Sequence, residues 1–486
     1  MKDQISRQEW FYLLAISLGL LLFKFWLTRI TGLEMHFDEA QYWTWSQRID
    51  WSYATKGPLL AWLIAASEWL FGHGDWQARL PGWIAGSLFL LLLYLFARDL
   101  WHSRQAAWWA LCLGLLTPLY FSLGLVITTD IFLFLFWTWG LWAAYRALLR
   151  DDRLAWYELG AAVGFGVLTK LSIGLLPAAV GLLVLIRPDY RRHLRDPHVW
   201  GGILLMLAIS APVWYWNAVH DWVLFRHNAG HVSSDDWSLL RAGEFLLGQI
   251  GALSPLVVLV AVLRLWRRPR LEDQRLIWLI SLGCLAFFLI KAMNGRILVN
   301  WPAPVYIGFI VLLAGQIEDL SQNLRRVFFG GLALSLLLLV AALTPRLLWL
   351  PEHNGVLKKL RAWQAPVAQL AEQAGAVDFL LVPDYRLASE LWFYWPDEIR
   401  VYMWGNPGRR FNQYDIWPGP ETERGGTGLY VTTNGYHMAA VSEHFDYCVK
   451  LPAVEAVAGD GGIARTLYPV RCGGFKPVDR SIPDTY

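Results

Sequence analysis

The stretch 154–187, LAWYELGAAVGFGVLTKLSIGLLPAAVGLLVLIR, decides the fold. Left whole, it is one long apolar helix. Split at Thr169-Lys170, it becomes two short helices that meet outside, and the choice inverts the side of everything downstream. A bilayer-spanning helix takes about 20 mostly apolar residues. With the split, candidate spans lie near 10–31, 80–98, 105–124, 127–148, 154–169, 171–187, 199–218, 244–265, 275–291, 302–317 and 326–345, about eleven in all.

Charge selects the split. With the N-terminus inside, eighteen cations fall in cytoplasmic segments or span ends. They are Lys2, Arg7, Arg98, Arg104, Arg146, Arg150, Arg153, Arg187, Arg191, Arg192, Arg195, Arg264, Arg267, Arg268, Arg270, Arg275, Arg325 and Arg326. Only eight fall opposite: Arg48, Lys56, Arg79, Lys170, Arg226, Arg241, Lys291 and Arg296. Lys24 and Arg29 lie inside the first span and count on neither side. This is the positive-inside asymmetry of a multi-pass membrane protein with a cytoplasmic N-terminus.

Composition agrees. The 486 residues are 56% hydrophobic and 17% charged, well below the roughly one-quarter charged of soluble chains. A net charge of +3 carries no nucleic-acid footprint. The apolar run 10–30 follows Lys2 and Arg7 without a small-residue cleavage site, so it reads as a retained span. The expected division is a transmembrane domain over 1–345, with a first external loop over 32–79, and a small periplasmic α/β domain over 346–486. In that tail, strand-like runs at 379–382 and 428–432 flank a helical stretch at 388–394. Within the first loop, 59–71 is too short to span and suits a helix lying in the interface. Cys112 and Cys284 read as small core residues; Cys448 and Cys472 suit a periplasmic disulfide, which spacing alone does not establish.

The ionisable residues cluster at external helix ends. Asp38 and Glu39 are adjacent carboxylates that could take a proton or hold a divalent cation; the competing reading makes Asp38 the N-cap of a helix over 39–46. Lys56 precedes a Gly-Pro turn and, like Arg79 and Arg296, suits a lipid-linked phosphate as well as ordinary headgroup contact. Asp130 starts the fourth span, as an acid of the site or as a cap, and Lys170 is a possible partner for it. Asn300 and Trp301, before Pro302, form either a binding edge or an interface anchor. His220, His227 and His231 share a loop without a clear third zinc ligand. No nucleotide-binding motif occurs in a suitable context. This distribution suits an enzyme at the outer membrane face; the alternative is a transporter or flippase of a lipid-linked saccharide.

Several strings are shared with a known family: Phe37-Asp38-Glu39-Ala40-Gln41-Tyr42-Trp43, Asp50-Trp51-Ser52-Tyr53 and Lys56-Gly57-Pro58-Leu59. Thr129-Asp130, Leu168-Thr169-Lys170, Gly248-Gln249, Ser254-Pro255 and Asn300-Trp301-Pro302-Ala303-Pro304 follow. In the tail, Ala388-Ser389-Glu390-Leu391 and Asn412-Gln413-Tyr414-Asp415 also match. The chain thereby resembles the bacterial branch of the dolichyl-phosphate-mannose protein mannosyltransferases, which includes the lipid A aminoarabinose transferases. Gly57 departs from that pattern, which often has a second proline there.

The resemblance implies a GT-C fold and an inverting glycosyltransferase with a polyprenyl (undecaprenyl) phosphate sugar as donor. The acceptor would be a hydroxyl or phosphate of lipid A, another lipid, a glycan or a protein. Asp38 would be the general base, Glu39 its assistant or a cation ligand, Lys56 a donor-phosphate contact and Asp130 the second acid. Arg79 and Arg296 are added as phosphate ligands from charge and side. Tyr53, Lys170, Asn300 and Trp301 complete the candidate substrate site.

Overall fold

In the computed structural model the decisive stretch breaks where its charge lies. A helix over Arg153–Val167 ends in a turn, with the amides of Thr169 and Lys170 both donating to the Gly166 carbonyl at 2.9 and 2.8 Å. Lys170 is extended, and the chain resumes as a 3₁₀ turn, Leu171–Gly174, and a helix, Leu175–Ile186. The structure describes residues 5–230, 237–266, 269, 271–344, 357–404, 410–434 and 441–477. His231, Lys2, Arg267, Arg268, Arg270 and the expected boundary at 345–346 lie outside the described residues.

This is a multi-pass α-helical membrane protein with a small C-terminal sheet. Among the described residues six helices are long and apolar enough to cross a membrane, and nine if each bent pair is one span. The shorter helical segments Arg153–Val167 and Ala303–Ala314 account for the remaining two stretches of the sequence reading. The bends have local causes. The expected span 105–124 turns by 65° between Leu116 and Pro118, and 244–265 turns by 106° at Ser254-Pro255. Each proline lacks an N–H and starts a new helix. Ser254 reaches φ +83°, a conformation unusual for a residue with a side chain.

The chain forms two compact units. The first takes in the chain up to Phe25, Lys56–Leu60 and Arg79–Val340; the second takes in Trp26–Thr55, Ala61–Ala78 and the chain from Ala341 onward. Most of the loop 32–79 thus folds with the C-terminal segment. It supplies a helix at Phe37–Ser46 and another at Leu59–Phe71, the latter ending in exposed Trp69, Leu70 and Phe71.

The C-terminal sheet has strands β1 (Phe379–Val382), β2 (Arg400–Met403), β3 (Gly428–Thr432), β4 (Tyr447–Lys450), β5 (Val454–Val457) and β6 (Ile463–Gly473). Its order is β2-β1-β3-β6-β4, with β5 also on β6; β1 runs parallel to β2 and β3, and the other pairs are antiparallel. β1 and β3 are wholly buried, which explains their unbroken apolar runs. Phe379, Tyr402, Tyr430, Phe445 and Phe475 fill one face. Cys448 and Cys472 are paired across β4 and β6 and form a disulfide. The bridge constrains the unfolded chain over a separation of 24 residues. Cys472→Ala together with Cys448→Ala should therefore lower the stability of this unit by about 3 kcal/mol, measured by chemical unfolding of the purified protein.

Candidate active site

The first unit gathers three of the sequence candidates on one carboxylate. Asp130 lies in the first turn of the helix Thr129–Leu149 and is only 4% exposed. Lys170 Nζ donates to its Oδ1 at 2.7 Å and Asn300 Nδ2 to its Oδ2 at 2.8 Å. The capping alternative for Asp130 is not realised: the N-cap is Thr128, and Asp130 spends both oxygens on distant partners. In a buried setting such a pair persists because each charge and lone pair is satisfied.

The turn that carries Lys170 is also gripped by the segment after Tyr53. Gly57 N–H donates to Thr169 O at 3.3 Å and Leu59 N–H to Leu168 O at 2.9 Å. A β-carbon at Gly57 would sit 2.3 Å from Leu168 O, so the position requires glycine and a proline would not fit. This explains the departure from the family pattern and fixes the backbone next to half-buried Lys56. Arg79 is 1% exposed, whereas Arg296 is exposed in the segment after the helix Glu272–Asn294. Trp301 is half-buried, its amide bonded to Leu298 O. Gln249 accepts a hydrogen bond from the Tyr306 hydroxyl at 3.0 Å.

In the second unit the adjacent carboxylates separate into different roles. The helix Phe37–Ser46 is capped by His36, whose Nδ1 accepts from the Asp38 amide, while Glu39 Oε2 accepts from the His36 amide at 2.9 Å. This reciprocal capping box corrects the expected cap: it is His36, not Asp38. Glu39 is fully buried and holds the helix start; the Asp38 side chain is 45% exposed, with its Oδ2 3.6 Å from His36 Nδ1. Phe37 is flanked by Arg386 and Lys359, whose charged groups lie 4.9 and 5.6 Å from its ring centre. Tyr53 is buried and stacked on Trp45, and its hydroxyl donates to the Trp45 carbonyl at 2.9 Å and lies 3.1 Å from that of Arg48, so it shapes the end of the helix and the loop after it.

The matching strings of the tail are those that hold this loop. The helix Tyr385–Tyr394 packs along Phe37–Ser46. Gln413 Oε1 accepts from the Ala54 amide at 2.8 Å, and the Arg48 guanidinium lies over the rings of Trp392 and Trp417. Glu390 was not singled out from sequence. It is fully buried, and among the described residues neither carboxyl oxygen has a hydrogen-bond partner. Burial pushes its acid well above the usual carboxylate range, reinforced by Glu39, Glu34 and Asp75 and opposed by Arg465. The sequence signal was an acid directly before the apolar run 391–393 in a matching string.

His220 stacks on Trp216 and its Nδ1 lies 2.8 Å from the Trp216 carbonyl. Among the described residues no three His, Cys, Asp or Glu side chains are placed to hold a metal ion.

Residues 55–216 match the family described as dolichyl-phosphate-mannose-protein mannosyltransferase. The chain is 26% identical over 440 residues to the lipid A galacturonosyltransferase RgtD of Rhizobium johnstonii, covering 88% of this chain and 92% of that one. It is 26% identical over 338 residues to the undecaprenyl phosphate-alpha-4-amino-4-deoxy-L-arabinose arabinosyl transferase of Pectobacterium atrosepticum, covering 63% and 58%. Its fold matches ArnT of Cupriavidus metallidurans bound to undecaprenyl phosphate with a TM-score of 0.66, at 18% identity over 96% and 98% of the chains. The chain is a membrane glycosyltransferase of the GT-C type. The helical membrane fold and the family resemblance expected from sequence are borne out.

Two outcomes follow from this geometry. Lys170→Met leaves Asp130 buried without its cation and should destabilise the first unit by about 3 kcal/mol, with Lys170→Met/Asp130→Asn recovering part of that loss in thermal unfolding. Glu390 binds its proton more tightly folded than unfolded. Stability should therefore fall as pH rises from the ordinary carboxylate range, about 4.3, towards its raised value. Glu390→Gln should remove that slope when unfolding is followed against pH.

Proposed function

We propose that this GT-C enzyme transfers a sugar from a polyprenyl phosphate, most simply undecaprenyl phosphate, to a hydroxyl or phosphate of a periplasmic glycolipid such as lipid A. The donor class is supported by the undecaprenyl phosphate arabinosyl transferase of Pectobacterium and by the undecaprenyl phosphate bound to the fold neighbour, and the acceptor by the lipid A galacturonosyltransferase of Rhizobium. The observation that carries the assignment of a base is the division of labour at the first loop. Glu39 is spent on the capping box, and Asp38 presents a half-exposed carboxylate from a rigid helix start.

In this reading Asp38 takes the proton of the incoming hydroxyl as its oxygen bonds the anomeric carbon. The bond from that carbon to the donor phosphate oxygen breaks, and the polyprenyl phosphate leaves with its electron pair. One displacement inverts the anomeric centre. Lys56, Arg79 and Arg296 are assigned to the donor phosphate, where cations stabilise the leaving charge. Asp130, tied to Lys170 and Asn300, is assigned as the second acid, and Trp301 to substrate contact. Glu39 positions the base. The activated phosphodiester supplies the free energy, and no step is routed through a divalent cation. The chain sits in the inner membrane with its N-terminus cytoplasmic and its C-terminal unit periplasmic, on the charge asymmetry described above.

Sugar transfer by the purified protein from a panel of undecaprenyl-phosphate sugars tests this. Asp38→Asn should lower turnover roughly 10²–10⁴-fold, the usual contribution of a general base, with unfolding unchanged. Equal transfer by wild type and variant would remove Asp38 from the mechanism. Vectorial movement of the lipid-linked sugar with no new glycosidic bond would instead favour a flippase.

A further inference from the structure

A second cationic feature lies in the first unit, apart from every residue assigned above. Arg153, Arg192, Arg195, Asp196, Pro197 and His198 line a cavity of about 320 Å³. Three elements bring them together. Arg153 opens the helix Arg153–Val167; Arg192 and Arg195 lie three apart on the 3₁₀ segment Pro188–Arg195; His198 lies in the first turn of the helix Pro197–Val219. At 3.0 residues per turn, side chains three apart in a 3₁₀ helix eclipse, so both arginines share a face.

The two α-helices meet along a glycine seam. A β-carbon on Gly160 would lie 2.0 Å from Gly202 O, so only glycine allows the approach that sets Arg153 beside His198. His198 Nδ1 lies 3.3 Å from the Tyr157 hydroxyl, one turn along from Arg153.

The charge there is poorly compensated. Asp196 caps its helix, with Oδ1 accepting from the His198 amide at 3.0 Å. Arg192 pairs with Asp151 at 2.7 Å, but both side chains are more than 60% exposed, so the pair is solvent-screened. Among the described residues neither Arg153 nor Arg195 is within ion-pair distance of a carboxylate. Arg153 also stands at the positive end of its own helix, where a cation is unfavourable. Helix stability does not explain that choice; an anion in the cavity does.

Exposed apolar residues neighbour the lining in sequence. Leu154 is 70% exposed, Trp200 55% and Leu194 40%. Trp200 Nε1 donates to Leu194 O, which fixes the indole. Tryptophan and leucine beside guanidinium groups are the pattern of a membrane-water interface, and these arginines belong to the cation-rich side of the chain.

We infer that this cavity binds the phosphate of an anionic phospholipid headgroup, with the acyl chains lying against Leu154, Leu194 and Trp200. Basic pockets between spanning helices take such headgroups, each nearby cation contributing about 1 kcal/mol, or roughly fivefold in affinity. The guanidinium fork suits the phosphate oxygens.

The test titrates the full-length protein in detergent with phosphatidylglycerol, phosphatidylcholine and inorganic phosphate, following bound lipid by mass spectrometry. Phosphatidylglycerol should bind in preference to phosphatidylcholine. Arg153→Gln/Arg195→Gln should weaken it roughly 25-fold and Arg195→Gln alone roughly fivefold. Arg191→Gln, whose guanidinium bonds Leu185 O and lies outside the cavity lining, should leave it unchanged. Sugar transfer by the Arg195→Gln variant, measured alongside, keeps this outcome separate from that of the catalytic assignment. Wild-type retention by the double variant, or equal binding of both lipids, would overturn the proposal. Inorganic phosphate binding as tightly as phosphatidylglycerol would overturn the lipid and assign a soluble phosphate site.

Discussion

The ion pair between Lys170 and Asp130 is the constraint on which the membrane unit depends. A lysine within an otherwise apolar stretch is costly at membrane depth unless it faces protein and finds an opposite charge. Here the chain stops its helix at Val167, turns, and delivers Nζ to a carboxylate at the start of another helix. Asn300 closes the same carboxylate from a third segment, and the backbone around Gly57 locks onto the carbonyls of the turn. One buried charge thus sets where two spans meet, and its turn anchors the chain just after Lys56.

The C-terminal unit is organised by a different demand. The helix Phe37–Ser46 is nearly all buried, and its partners are the helix Tyr385–Tyr394, Gln413 and the two tryptophans under Arg48. A rigid helix start is what the general base proposed at Asp38 would need, since positioning decides the efficiency of proton transfer. Buried Glu390 is the least comfortable group in this layer. Its neutral form removes the need for a counter-charge among Glu34, Glu39 and Asp75.

Several of these features were legible beforehand. The apolar segments, the break at Thr169-Lys170, the strands at 379–382 and 428–432 and the pairing of Lys170 with Asp130 follow from hydropathy and from the cost of unpaired charge. Others were not. Local sequence offers Asp38 as a helix cap, because aspartate is a good one, and only the tertiary structure shows His36 and Glu39 filling both halves of the box. The sharp bends at Pro118 and Pro255 carry a proline signal, but its angle is set by what each half packs against.

By itself the sequence determined the class of molecule, since a chain this apolar, with cations on one side of its spans, must be threaded through a bilayer. It also determined the strings that carry the family resemblance. Tertiary structure alone decided which of two adjacent carboxylates closes the capping box, that Gly57 is dictated by a carbonyl more than a hundred residues away, that Cys448 faces Cys472, and that most of the first loop folds with the C-terminal unit. The reason is common to all four. Hydropathy and charge act over windows of a few residues, whereas caps, close approaches, disulfides and docking depend on which distant segment arrives beside them.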